Sequence, residues 1–347
     1  MHKSKRILIL LLFISSALFA EQERRGKDST NIYGKIDTNY ITNFRDLLNA
    51  KLFAVIRNNK FSVEDRNTQS SIEYGINSKL NMGIGLSFKG IGFDLEYSPP
   101  GINVDDDKYG KTTSFAIGTS SNARRFMYDV FYRQSQGFRT SAQYRVENDT
   151  VFDYYRRSDI YNYNAGLTLT YVFNNKRYSS SAPYSLTQKQ RKSAGSFLLG
   201  TYAQVYGISA DTIIYPDTMY RSFRHELQFN AASSFTFGIS CGYAYTLVFG
   251  KNWFVNVTTL PGISLQEFYT VNAFDKEGYN TFSLGLSLQS RFSIGYNRRS
   301  YFIGVSFITN NFFIDDHNQA SINYKYSTFK FYYGHRFDLR KMLKKKL

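Results

Sequence analysis

The chain has little of what covalent or metal-based stability needs. Among its 347 residues there is one cysteine, Cys241, so neither a disulfide framework nor a cysteine zinc site forms within it. Five prolines exclude collagen-like and proline-rich classes. Charge is modest, at 20% of residues, while 29 Tyr and 31 Phe are the reverse of a disordered chain's composition. Beyond residue 20, no run approaches the roughly 20 apolar residues of a membrane-crossing helix. Abundant aromatics and 24 glycines with so little proline favour many β-strands, and the length suits two soluble domains or one large all-β domain.

Residues 1–20 have a basic start (Lys3, Lys5, Arg6), an apolar run from Ile7 to Phe13, and the ending Ser15-Ser16-Ala17-Leu18-Phe19-Ala20. This is the layout of a secretory signal peptide cut after Ala20, although Leu18 is larger than the small residue preferred there. The run is too short for a membrane anchor, and no cysteine follows it to carry a lipid. Removing its three basic residues takes the formal charge from +16 to +13. The mature chain is therefore expected to be secreted, periplasmic, or membrane-inserted as a closed β-barrel, the other structure that pairs every backbone group in hydrocarbon.

Apolar residues alternate with period two through nearly the whole chain. In 234–249 they are Phe235, Phe237, Ile239, Cys241, Tyr243, Tyr245, Leu247 and Phe249; in 280–296 the series runs from Phe282 to Tyr296. The opposite faces carry Ser, Thr, Gly, Ala, Asn and Gln with a single charge, Arg291. A soluble sheet would solvate that face with Lys and Glu. A small polar face suits a barrel interior, and the aromatic and aliphatic face suits lipid.

The expected wall strands are 48–57, 79–89, 91–98, 112–120, 126–141, 160–173, 195–206, 234–249, 253–267, 280–296, 300–308 and 319–337. Ten or fourteen strands are the alternatives to this count of twelve. Pro261 predicts a local break in its strand. A phase change between Tyr326 and Phe329 predicts a bulge near Ser327-Thr328. Connections alternate short and long, with 174–194 a long member of the short set. The short set from 121–125 onward and the tail 338–347 together hold 15 basic residues and one acidic; the six long loops hold 10 basic and 17 acidic. Short turns and both termini are thus expected on the periplasmic side, with long acidic loops outside.

Ile36-Asp37-Thr38-Asn39-Tyr40-Ile41 with Phe44-Arg45-Asp46, Leu86-Ser87-Phe88-Lys89, Phe93-Asp94-Leu95, Tyr109-Gly110-Lys111-Thr112, Tyr128-Asp129 and Gln136-Gly137-Phe138 resemble the domain of unknown function 4421 family. The run Gln190-Arg191-Lys192-Ser193-Ala194-Gly195-Ser196-Phe197 and the ending Gly334-His335-Arg336-Phe337 extend the resemblance over roughly residues 33–337. It implies outer-membrane-barrel-like proteins of Bacteroidetes-type bacteria, and no activity. The basic residues after Phe337 depart from a simple terminal assembly signal.

Chemistry is thinly signalled. The mature chain has three histidines, His225, His317 and His335, and no G-x-S-x-G or H-E-x-x-H pattern. Asp105-Asp106-Asp107 lacks the alternate spacing of an EF-hand. No catalytic, cofactor-binding or metal residues are assigned. Asp94, Glu96, Asp129, Arg133, Arg291 and Lys325 share the phase opposite their strands' aromatics and are expected to line the lumen, as an ion-pair network or a polar path. The basic tail suits anionic lipid, and the signal peptide argues against nucleic acid.

The expected protein is thus an all-β, transmembrane up-and-down barrel, a small pore or a structural, surface-binding barrel. Its divisions are a signal peptide (1–20), a polar leader or plug (21–47), the barrel (48–337) and a basic tail (338–347). Expected partners are outer-membrane lipids and lipopolysaccharide, with divalent cations at the outer loops. A membrane-embedded lipid hydrolase or acyltransferase and a soluble periplasmic β-protein are the alternatives.

Overall fold

The computed structural model describes residues 36–338 apart from 89–90, 98–105, 123–124, 141–143, 147–148, 152–154, 218 and 316–319. The signal segment, the leader up to residue 35, Asp105, His317 and the tail beyond Asp338 lie outside the described residues. The strands are β1 (Ile41–Asn43), β2 (Leu48–Asp65), β3 (Ser70–Gly75), β4 (Leu80–Phe88), β5 (Ile91–Tyr97), β6 (Thr113–Asn122), β7 (Phe126–Thr140), β8 (Tyr144–Val146), β9 (Asp149–Val151), β10 (Arg156–Val172), β11 (Gln188–Gln190), β12 (Ala194–Ser209), β13 (Phe229–Phe249), β14 (Trp253–Asn272), β15 (Gly278–Asn297), β16 (Tyr301–Asp315) and β17 (Ala320–Phe337). Every expected wall strand is present, as β2, β4 to β7, β10 and β12 to β17.

Ten strands close the barrel. Antiparallel ladders run β2–β17–β16–β15–β14–β13–β12–β10–β7, and β3 completes the ring by pairing with both β7 and the second half of β2. The first half of β2 pairs instead with β4, which pairs with β5, while β6 pairs with β7. Near the chain termini the wall therefore has β4, β5 and β6 in the place of β3. There β5 and β6 face one another, and among the described residues no ladder joins them.

The two faces of the wall divide as the alternation predicts. Phe282 (69% exposed), Leu284 (66%) and Leu265 (66%) point outward, whereas Thr236, Asn256 and Ser293 are buried inside at 0%. Leaving such outward side chains in water forgoes about 1.5–3 kcal/mol each. The rings are not sandwiched between facing sheets, which argues against the soluble periplasmic β-protein. At the end with the termini, Phe249, Trp253, Tyr296 and Tyr301 form a chain of ring contacts with centroids 6.2, 5.3 and 5.7 Å apart. Such a belt marks a membrane interface.

One local expectation needs correction, and another holds on one edge of its strand alone. No bulge occurs near Ser327-Thr328: β17 keeps one register against β16 and β2 throughout. The apolar series changes phase because Ile322 and Tyr324 point inward, into a buried aromatic cluster under the long loops, and Tyr326 points inward below them. At Pro261 the ladder to β15 continues, and only the rungs opposite Cys241 and Gly242 are missing on the β13 side. Proline lacks a donor, so the defect stays on one edge.

Ile263 faces outward near the middle of β14, 57% exposed. Ile263→Arg should destabilise the lipid-folded state by about 2–4 kcal/mol, and Ile263→Leu by far less. Urea titration in vesicles, read by heat-modifiable gel migration, measures both.

Candidate functional site: a charged chamber inside the barrel

Segment 174–194 folds inward from the end bearing the termini. The Tyr184 hydroxyl bonds the side chains of Asn256 (2.6 Å) and Thr258 (2.9 Å), and Asn256 also donates to the Tyr178 hydroxyl (3.2 Å). Ser293 donates to the Pro183 carbonyl (3.2 Å), Asn297 to that of Gln188 (3.0 Å), and Arg336 to that of Leu186. Small polar lumen residues supply most of these partners, so the face that reads as barrel interior is a docking surface for backbone. Leu186 stands at φ 57° with its side chain buried among Phe53, Val55, Phe254 and Phe302, which holds this unfavourable backbone in place. The leader strand β1 pairs with β11 of this segment, adding a second layer.

The other end is covered too. Ile214, Tyr215, Met219 and Phe223 of the 210–228 loop are buried at 0–2% against Phe61, Ile72 and Tyr74. Tyr74 donates to the Ile214 carbonyl, and Tyr215 stacks on Phe223 with centroids 4.1 Å apart. Burial pushes the Tyr215 phenol well above its usual value, so it stays a donor, to the Leu227 carbonyl at 2.8 Å.

Between floor and roof lies a cavity of about 480 Å³. Lys51 and Lys330 both contact Asp94, each at 2.9 Å. The Arg57 guanidinium pairs with Glu96 and reaches the Tyr326 hydroxyl at 3.2 Å. Arg291 contacts Asp129 at 2.7 Å. Glycine makes the first pairing possible: a Cβ on Gly85 would stand 2.3 Å from the Lys51 chain and 2.5 Å from the Asp94 carboxylate. Arg133 differs from the rest. Its guanidinium lies between the rings of Phe131 (4.2 Å) and Tyr326 (3.8 Å), and among the described residues no carboxylate is within ion-pair distance.

Of the six residues expected to line the lumen, Asp94, Glu96, Asp129, Arg133 and Arg291 come together around this chamber. Lys325 does not: it is exposed and faces outward, opposite Lys60 and Asn311. Lys330 sits inside in its stead. Sequence reasoning missed Lys330 of β17, and also Lys51 and Arg57, whose strand β2 carries apolar residues on both faces and hides its phase. The signal was there in Lys51 and Arg57, six residues apart and therefore on one face.

Elsewhere, His225 Nε2 lies 3.1 Å from Asp275, and its Nδ1 3.2 Å from the Tyr279 hydroxyl, in the exposed loops. Asp106 is used internally, by Lys79 at 2.8 Å and Asn77 at 3.2 Å. Among the described residues, no three His, Cys, Asp or Glu side chains converge as metal ligands would.

A closed antiparallel ring with an apolar exterior and a charged, internally paired lumen defines an integral β-barrel of the outer membrane. The chain belongs to the family described as a domain of unknown function (DUF4421), whose pattern it matches over residues 35–337. No curated protein matches it. Solved structures similar in fold include the outer membrane protease OmpT from Escherichia coli, at 11% identity and TM-score 0.38, covering 85% of this chain and 98% of that one. The Pseudomonas putida toluene transporter TodX has 8% identity and TM-score 0.29, with 84% and 90% covered. Ail of Yersinia pestis, in complex with the heparin analogue sucrose octasulfate, has 9% identity and TM-score 0.17, with 83% and 99% covered.

Arg291→Met leaves the Asp129 carboxylate without its cation and should cost about 1–3 kcal/mol, less than for a fully buried pair because both groups face a cavity. The double variant Asp129→Asn, Arg291→Met should recover part of this loss. Urea midpoints in detergent measure the difference.

Proposed function

We propose that the protein is a non-catalytic, gated barrel that handles small polar or ionised solutes through its charged chamber. The observation that carries this reading is the 174–194 segment seated in the lumen by hydrogen bonds with Asn256, Thr258, Ser293, Asn297 and Arg336. Each bond is a separate, modest attachment of about 0.5–1.5 kcal/mol, which suits a plug that can be released. The basic turns and tail favour placing this end in the periplasm, and the acidic loops favour contact with lipopolysaccharide through divalent cations.

Catalysis finds less support. Nucleophilic chemistry needs a hydroxyl or thiol within reach of a base. Among the described residues no serine, threonine or cysteine side chain bonds His225, whose ring is taken up by Asp275, Tyr279 and Asn272.

The native protein in planar bilayers should show little steady conductance. Replacing residues 178–189 with a short Gly-Ser turn should produce discrete openings, and Tyr184→Ala should produce flickering ones in a barrel that still migrates as folded before boiling. Steady conductance of the native protein, or a folded plugless variant that stays silent, refutes the gated reading.

A further inference from the structure

Two wall features have no role in a gate along the barrel axis. One is the gap between β5 and β6. Each has a single ladder partner, β4 for one and β7 for the other, and among the described residues none crosses between them. A sheet edge facing hydrocarbon leaves N–H and C=O groups unpaired, at several kcal/mol per group. The second is that the chamber reaches this gap. Its lining includes the inward Asp94, Gly92, Ala116 and Gly118, and also Phe93 and Ile117, whose side chains are 73% and 48% exposed on the outer face. The chamber is thus bounded on this side by both unladdered strands. On the inner side the gap is bordered by two glycines and an alanine; on the outer side by Phe93, Leu95, Phe115 and Ile117, all exposed. Its loop-side end is fastened, since Asp106 holds Lys79 and Asn77 while Thr112 donates to the Gly137 carbonyl at 2.8 Å.

Charge says what would enter. The chamber is lined by five cations (Lys51, Arg57, Arg133, Arg291, Lys330) and three carboxylates (Asp94, Glu96, Asp129). The guanidinium of Arg133 has rings on both sides and no carboxylate among the described residues. Arg291 Nε is buried without a partner. An acceptor-only anionic group supplies what both lack.

We infer that the β5–β6 gap is a lateral doorway for a single-chain anionic amphiphile. Its carboxylate-like headgroup enters the chamber to pair with Arg133, and its alkyl chain stays against the apolar rim of Phe93, Leu95, Phe115 and Ile117. This rests on the chamber being closed along the barrel axis, as proposed above. The headgroup also offers acceptors to unpaired N–H groups of the two edges. The tail lies among side chains that already face acyl chains.

The test uses the mature full-length protein in phospholipid nanodiscs, with dansyl-undecanoate as the fluorescent probe. Saturable enhancement is expected. The methyl ester of the probe should bind at least about tenfold more weakly, Arg133→Gln should weaken the acid about tenfold, and Arg133→Lys should restore much of the loss. Ala116→Trp, which fills the gap, should remove binding while heat-modifiable migration confirms a folded barrel. Equal binding of acid and ester, indifference to Arg133→Gln, or binding that survives Ala116→Trp overturns the doorway. So does competition by butyrate at the same concentration as palmitate, since a small anion would then be entering from water. A native protein that is silent in bilayers yet binds no probe refutes the doorway and leaves the gated reading standing.

Discussion

Backbone pairing in a medium without water is the constraint from which the rest of this molecule follows. Eight of the ten strand boundaries in the closed ring are long ladders, and the other two are made by β3, a strand of six residues. Because β3 reaches only part of the way, β2 changes partner midway, from β4 to β3. The wall near the termini must then hold two more strands than the wall near the loops, β4, β5 and β6 standing where β3 stands at the other end. That mismatch is accommodated at β5 and β6, where the ladder is interrupted.

The lumen shows the same accounting applied to side chains. A ring of ten strands is wider than the roughly eight-stranded barrel that side chains just fill, so interior polar groups need partners from elsewhere. Segment 174–194 brings backbone carbonyls and tyrosine hydroxyls to the interior Asn, Ser and Thr residues, so floor and wall complete one another. Above this floor the charges pair across strands distant in sequence: Lys330 meets Asp94 and Arg291 meets Asp129. Such pairs hold their partners in place more than they add net stability, because each charge also loses hydration. Arg133 departs from the pattern, held by two rings instead of a carboxylate.

The wall was legible in the sequence to the extent that one face of each strand is uniformly apolar. For β13, β14 and β15 the alternation located the strands and their lipid face. It stopped short in β2, β16 and β17 toward the loops, where inward positions such as Phe61, Phe312 and Tyr324 are aromatic and break the contrast between faces. The strand β3 was hidden for the same reason, since Ile72 and Tyr74 point into that cluster. Lys325 was misplaced by the assumed phase change, whereas Lys330, between the outward Phe329 and Phe331, was legible from the alternation and passed over.

By itself the amino-acid order determined the class of the protein: an exported chain with long amphipathic strands, one face greasy and the other small and polar, crosses a membrane as a barrel. It also marked 174–194 as an exception, a long basic connection where a turn was due. Only the folded chain decided that this connection turns inward, that the ring closes at ten, and that five cations gather around three carboxylates. Periodicity reports which way a side chain points relative to its own strand. Which strand stands opposite, and whether two neighbours pair, is set by closure of the whole sheet.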